Sequence, residues 1–421
     1  MLKFVHAADT HIDSALSGLS AHDNAVPDLM RTATRSAFSN LIDRTIAEKA
    51  AFLLLVGDVF DTAWKESNTG MFFVREMARL NVAKIQVVML RGNHDAANEM
   101  TKSLPLTPNV HILSSEAPET VRFDLDGVRV AVHGQSFKHA ETTQNLLSKY
   151  PAPLDGYLNI GMLHTGLEGN TPHGNYAPCS LDELKNKGYA YFALGHIHLH
   201  QIHCEAPWVV MPGNLQGRHV QELGPRGAML VSYENGELQP PQRIFVDVLR
   251  WQMAEVDIST AKTRDDVVAQ AGVVFRQLLD DADGRPLACR VTLTGKSAAH
   301  GALFGQEQLL RAELTAQAIN VGGEEIWIEK VKVRSEPATD ALVIAARGDA
   351  LSELQALLGD AAKDPEFLAS LESEFAVLLS KMPHDIYRQE VPALRAVRDG
   401  DFATLIREIA PSVLDRITLE A

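Results

Sequence analysis

LLLVGDVFD, Leu53–Asp61, decides how the rest of the chain is read. Its four leading apolar residues, Leu53 to Val56, suit a strand buried on both faces of a largely parallel sheet. Gly57 stops the run, and Asp58 sets a carboxylate just past the strand's carboxyl end, the edge where open α/β sheets bind ligands. A lone carboxylate there would more often cap the next helix. This one has company. Asp9 and His11 follow an N-terminal strand, Asn93 and His94 follow another, His164 ends a fourth, and His196 and His198 follow a fifth. Metal-type side chains at five strand ends form a constellation, although each alone would read as a core histidine or an ordinary loop residue.

Outward from that stretch, the pattern is β-α-β-α-β. Residues 4–8 form the first strand, and Pro27 opens a helix to about Lys49 with Met30, Ala33, Ala37, Leu41 and Ile42 at helical spacing. A helix over Gly70–Leu80 and a strand over residues 85–90 follow, the latter running into Arg91-Gly92-Asn93-His94-Asp95. Right-handed crossovers and a parallel core are implied. Asp126-Gly127 between two β-rich runs signals a two-residue hairpin. Further strands are expected at Leu158–Leu163, Tyr191–Leu194, Trp208–Met211, Ala228–Tyr233 and Ile244–Val248. Two sheets packed face to face, with helices outside, account for this number.

The expected organisation is an α/β domain over residues 1–248, a smaller α+β cap-like domain over 249–345 and a helical region over 346–421. In the second part, strands are expected at Met253–Val256, Ala288–Thr294 and Ile326–Val333, with helices over Asp265–Leu279 and Gln306–Ile319. From Asp349 the chain reads as helical, broken by Pro365, Pro383 and Pro392. Phe402, Leu405, Ile406, Ile409, Val413, Leu414 and Ile417 give an apolar stripe on the last helix. Packing on its own domain is the ordinary fate of such a stripe; docking on a partner is the functional one.

Composition narrows the classes. Hydrophobic content of 46% and charged content of 22% are ordinary for a soluble globular chain. Cys179, Cys204 and Cys289 are few and far apart, giving no disulfide framework and no paired thiolate site, so a reducing, cytoplasmic setting is expected. No apolar run is long enough to span a bilayer, and the N-terminus enters a strand without a signal core. The net charge of −15 argues against strong unaided nucleic-acid binding. It is uneven: residues 1–250 hold 21 Lys+Arg against 26 Asp+Glu, while residues 251–421 hold 18 against 28. Fourteen of the 16 histidines lie in the first 250 residues, so the chemistry sits there.

Two divalent cations about 4 Å apart need a bridging carboxylate and further ligands from several strands. Imidazole with carboxylate suits Mn, Fe or Zn better than Ca or Mg. In extended backbone, residues i and i+2 point the same way, so Asp9-x-His11 and His196-x-His198 can each aim two groups at one site. Gly57, Gly92 and Gly195 precede ligands, where the backbone must turn sharply. His133, His200, His203 and His219 lack such context and read as structural.

The motifs D-x-H, GDVFD, GNHD, a lone His and GHIH resemble the calcineurin-like metallophosphoesterase superfamily. HAADTHIDSALSGL, LLLVGDVFDT, LRGNHD and YFALGHIH are similar to the SbcD-type DNA repair exonucleases, and MPGNLQGRHVQELGPRG to their YhaO-like branch. The resemblance covers residues 4–227 and implies an α/β/β/α sandwich. It implies one cation held by Asp9, His11, Asp58 and His198, and another by Asp58, Asn93, His164 and His196. It gives His94 the place of a non-ligand histidine facing the scissile phosphate and Asp61 that of the carboxylate orienting it. An imidazole there suits protonation of a departing sugar oxygen. Two-metal hydrolysis of DNA is therefore expected, with Mn²⁺ as the ion and Fe²⁺ or Zn²⁺ as alternatives. A coiled-coil ATPase of the SbcC-like SMC type is the implied partner, no membrane is involved, and a homodimer stays open. The alternatives are a phosphodiesterase for small or cyclic nucleotides and a non-catalytic scaffold subunit.

Overall fold

The period of two along each strand divides its side chains between two cores. In the computed structural model, which describes residues 1–18, 28–61, 68–96, 104–167, 176–303, 305–339, 341–381 and 392–420, β1 (Leu2–Ala7) turns Phe4 to one side and Val5 and Ala7 to the other. The polar loop ending at Pro27, and Pro383, lie outside the described residues. After α1 (Asp28–Ala47), β2 (Phe52–Val56) does the same: Phe52, Leu54 and Val56 enter the inner layer, Leu53 and Leu55 the outer. The outer face is covered by α1 through Ala37, Phe38, Leu41 and Ile42, and by α2 (Asn68–Val82) through Phe73, Met77 and Leu80. Then come β3 (Gln86–Leu90), the single turn α3 (Asn93–Ala96) and β4 (Val110–Ile112).

The hairpin expected at Asp126-Gly127 joins β5 (Glu119–Leu125) to β6 (Val128–Gly134), with positive φ at both turn residues. Next in order are β7 (Leu158–His164), α4 (Leu181–Asn186), β8 (Tyr191–Gly195), β9 (Gln201–Glu205) and β10 (Trp208–Met211). The unit closes with β11 (Gly227–Glu234), β12 (Glu237–Leu238) and β13 (Gln242–Phe245). One sheet runs β12-β11-β1-β2-β3-β4 with β13 also on β11; the other runs β5-β6-β7-β8-β10-β9. β1 to β4 are mutually parallel, as are β6, β7, β8 and β10, so each sheet presents its carboxyl ends along one edge. The sheets pack face to face over Phe4, Phe52, Leu54, Val132, Ile160, Met162 and Tyr191. This is the expected two-sheet sandwich flanked by helices.

Some elements differ from those expected. The exposed edge strand β9 carries too little apolar alternation to be read as a strand. The final strand of the unit, Gln242–Phe245, starts two residues and ends three residues earlier than expected. Asp247 draws the chain out of the sheet, because its carboxylate accepts from Arg226 N at 3.1 Å and pairs with Arg250 and Arg285 at 2.9 Å each.

The chain divides into two compact units: Met1–Gln252 with Arg285–Ala288, and Met253–Gly284 with Cys289–Ala421. The second begins within β14 (Arg250–Asp257) and α5 (Arg264–Asp280), which starts with a capping box at Thr263 and Asp266. β15 (Leu287–Thr294), β16 (Lys296–Ser297), α6 (His300–Leu303), α7 (Glu307–Gly322), β17 (Ile326–Val333) and β18 (Glu336–Pro337) follow. β14-β15-β17 form a three-stranded sheet. The terminal helices are α8 (Ala341–Ala345), α9 (Ala350–Ala361), α10 (Pro365–Lys381), α11 (Pro392–Arg398) and α12 (Phe402–Glu420). The stripe of α12 is largely inside its own unit: Phe402, Leu405, Ile406 and Leu414 are buried. Ser412 meets Nε2 of the buried His300 at 2.9 Å. Val413 and Ile417 stay 38% and 43% exposed. No helix among the described residues is long and apolar enough to cross a membrane.

His6 places a polar group between the two sheets. His6 is fully buried; its Nε2 lies 3.0 Å from the Leu194 carbonyl, which can only accept, and its Nδ1 lies 3.0 Å from the Tyr191 hydroxyl. Both ring nitrogens are thus satisfied in the neutral form, and burial pushes the imidazole down to about 3. Between that value and 6.5 the unfolded chain binds a proton that the folded chain does not, so stability falls as pH falls, by up to about 1.4 kcal/mol per pH unit. We expect His6→Gln to melt below the wild type at pH 7.5 and the gap to narrow at pH 5. A gap independent of pH would mean that His6 does not titrate this way.

Candidate metal centre

The loop after β1 runs beside the loop after β2. Asp9, His11 and Ile12 donate their backbone N–H groups to the carbonyls of Gly57, Asp58 and Val59 at 3.0–3.1 Å. Asp9, His11, Asp58 and His196 all have positive φ, a region costly for residues with a Cβ and held only where surroundings enforce it. Asp95 braces the loop that carries Asp58. Its carboxylate accepts from Val59 N (3.2 Å), Phe60 N (2.9 Å) and Gly92 N (3.2 Å), pinning the Asp58 and Asn93 loops together. Burial, then the nearby Asp58 charge, pushes its carboxyl up to about 6. Asp13 accepts from Asp61 N at 2.7 Å and fixes the far end of the same loop.

Space between these loops is fully used. A Cβ on Gly57 would lie 2.3 Å from His164 Nδ1, one on Gly92 2.3 Å from Asp58 Oδ1, and one on Gly195 2.1 Å from the Val56 carbonyl. The glycines noted in the sequence are there for close approach as well as for turning.

All seven sequence-predicted ligands converge. Donor atoms of Asp9, His11 and His198 lie within 4.8 Å of one another, and so do those of Asp58, His164 and His196. Asn93 joins the second group, its Oδ1 3.1 Å from His164 Nε2, and Asp58 Oδ2 lies 3.3 Å from the same nitrogen. Asp9 ties the groups together by accepting the His196 backbone N–H at 2.9 Å. His94 and Asp61 sit alongside. His94 N donates to Asp58 Oδ1 at 3.0 Å, and His94 Nδ1 lies 2.9 Å from Asp61 Oδ1. Donor atoms of His11, Asp61 and His94 also fall within 4.8 Å, a third grouping.

These residues fit a pair of divalent cations. His164 Nδ1 lies 3.0 Å from the Val56 carbonyl, so it carries the proton and leaves Nε2 facing Asp58 and Asn93. His11 Nε2 and His198 Nε2 approach to 3.3 Å, two imidazoles aimed at one place. The potential favours positive charge. Burial opposes it at His164, yet Asp58 and Asp9 push that imidazole up to about 9. Burial also opposes ionisation of Asp58, but His164, His11 and His94 hold its carboxyl well below the usual range. The nearby His11 and His94 rings, 3.6 Å and 2.9 Å from Asp61 Oδ1, hold Asp61 low, and the Asp61 carboxylate raises His94.

Sequence reasoning missed two neighbours. Glu222 Oε1 lies 2.6 Å from His198 Nδ1, and Arg218 Nη2 lies 3.2 Å from the same nitrogen. Both occur in the quoted run MPGNLQGRHVQELGPRG, but no spacing rule singles out a carboxylate that acts on a histidine 24 residues earlier. Burial would raise Glu222, yet His198 and Arg218 hold it low.

The family model "Calcineurin-like phosphoesterase" matches residues 2–200, and "Metallophosphoesterase YhaO, middle domain" matches residues 251–336. The uncharacterized metallophosphoesterase YhaO of Bacillus subtilis is 34% identical over 296 residues, spanning 70% of this chain and 72% of that one. The DNA double-strand break repair protein Mre11 of Methanopyrus kandleri is 24% identical over 311 residues, 68% of this chain and 66% of its own. Mre11 of Sulfurisphaera tokodaii is 23% identical over 321 residues, 73% and 77% respectively. The likeness to YhaO reaches well beyond the ligand motifs, and on that extent the chain belongs to the calcineurin-like metallophosphoesterases, metal-dependent hydrolases with a dimetal centre, in their YhaO-like branch.

Proposed function

We propose that this protein hydrolyses DNA phosphodiester bonds with two divalent cations, Mn²⁺ for preference. One would be held by Asp9, His11, Asp58 and His198, the other by Asp58, Asn93, His164 and His196. The observation that carries the hydrolytic reading is the His94–Asp61 pair, 2.9 Å apart and about one-third exposed, beside two groups of inward-facing ligands. DNA as substrate rests on the Mre11 relatives and the SbcD-like motifs. Two cations so held would supply Lewis acidity toward the phosphoryl oxygens and would activate water near neutral pH.

The chain's own groups do the remainder. Asp61 Oδ1, 2.9 Å from His94 Nδ1, raises that imidazole above its ordinary value and holds it beside the ligand groups, where it would serve as proton donor to the departing sugar oxygen. The His94 backbone N–H, bound to Asp58 Oδ1, sets the distance between that imidazole and the ligand groups. We also propose an SMC-type coiled-coil ATPase as partner in a reducing cytoplasm. The surplus of acidic residues over 251–421 leaves DNA binding short of the Lys and Arg contacts that dominate it.

The substrate is tested by Mn²⁺-dependent turnover of labelled single- and double-stranded DNA beside bis-p-nitrophenyl phosphate and cyclic nucleotides. Turnover of the small esters with none on any DNA form would replace DNA by a small phosphodiester, the reading that the net charge of −15 favours. Asp58→Asn should abolish turnover and lower the metal content of both sites; full double occupancy would end its assignment as the bridge. His94→Ala should retain both metals and a near-wild-type melting temperature while losing about 10²–10⁴-fold in turnover. Loss of metal in that variant would make His94 a ligand, within the third grouping.

A further inference from the structure

His198 Nδ1 faces two side chains that demand opposite things of it. Glu222 Oε1, at 2.6 Å, can only accept, which requires the proton on Nδ1 and leaves the Nε2 lone pair directed at His11 (3.3 Å) and Asp9 Oδ1 (3.9 Å). Arg218 Nη2, at 3.2 Å, can only donate, which requires the lone pair on Nδ1 and the proton on Nε2, where it blocks ligation. The shorter, charge-assisted contact belongs to the carboxylate. Glu222 is well placed to hold it. The residue is about 5% exposed, its Oε2 accepts the Arg218 backbone N–H at 2.6 Å, and its Oε1 also takes Arg218 Nη2 at 3.3 Å. The loop closes tightly enough that a Cβ on Gly217 would lie 2.6 Å from the Glu222 carbonyl.

We propose that Glu222 is a positioning residue of the dimetal centre: it fixes His198 in the ligating tautomer and withholds Arg218 from imposing the other one. The inference rests on the assignment of His198 as a metal ligand made above. Glu222 acts through His198 and touches no reacting group. The competing role for Glu222 is a loop anchor, through its bond to the Arg218 N–H, and the two roles predict different outcomes.

The test is calorimetric titration of the metal-stripped full-length protein with Mn²⁺, alongside melting temperatures. Wild type should bind two ions. Glu222→Gln keeps an oxygen for the Arg218 N–H but offers an amide donor to His198 Nδ1. It should weaken one of the two ions by about 10–100-fold, leave the other unchanged and melt near wild type. Glu222→Ala leaves Arg218 alone with His198 and should weaken the same ion. Adding Arg218→Ala to it frees the ring to take either tautomer and should recover part of the affinity. A loop anchor would give no recovery, the double variant binding no better than Glu222→Ala, and that result overturns the proposal, as does unchanged binding by Glu222→Gln. Fewer than two ions on the wild type would instead overturn the dimetal assignment itself.

Discussion

The whole centre depends on two sheet edges meeting without a gap. At the site, the edges meet in the hydrogen bond from His164 Nδ1, at the end of β7, to the carbonyl of Val56, the last residue of β2. This bond crosses between the sheets, orients an imidazole and assigns its tautomer. It works because Gly57 and Gly195 have no side chains to hold the edges apart. Had either carried a methyl group, the strand ends would have to separate, and ligands from five strands could no longer reach a common place.

Around that contact, polar groups are spent in layers. Asp9, Asp58 and the imidazoles face inward. Asp95, Asp13 and Glu222 stand one step behind and hold loops or rings in place through backbone N–H groups and His198. The carboxylates of the inner layer are buried, which costs several kcal/mol for an isolated charge, so they persist only among imidazoles and the cations the family uses. His6 marks the boundary of this chemistry. It lies three residues before Asp9, yet its two bonds to Leu194 and Tyr191 make it part of the inter-sheet core.

The inner layer was legible in the sequence because each member follows an apolar run, and such runs place their ends at a known edge. The sandwich was legible for a similar reason: Phe52 to Val56 is apolar at every position, which only a strand covered on both faces requires. Glu222 was not legible. Its partner is created by the chain doubling back through β9 and β10, and the edge strand β9 itself has only a weak apolar pattern. Asp247 was opaque in the same way, since its guanidinium partner Arg285 lies 38 residues on. The stripe of α12 could be seen, but whether it faced its own unit or a partner depends on packing against α10 and α11, which periodicity does not encode.

The positive φ shared by Asp9, His11, Asp58 and His196 restricts which residue types could ever occupy these places. Left-handed backbone is several-fold richer in Asn, Asp and His than in other side chains, and hostile to β-branched ones. Of the common metal-binding residues, that favours the short carboxylate and the imidazole over glutamate or cysteine. At these four positions the backbone itself favours nitrogen and oxygen donors before any ion arrives. Thiolate-seeking metals are disfavoured by the shape of the main chain as well as by the donors it carries.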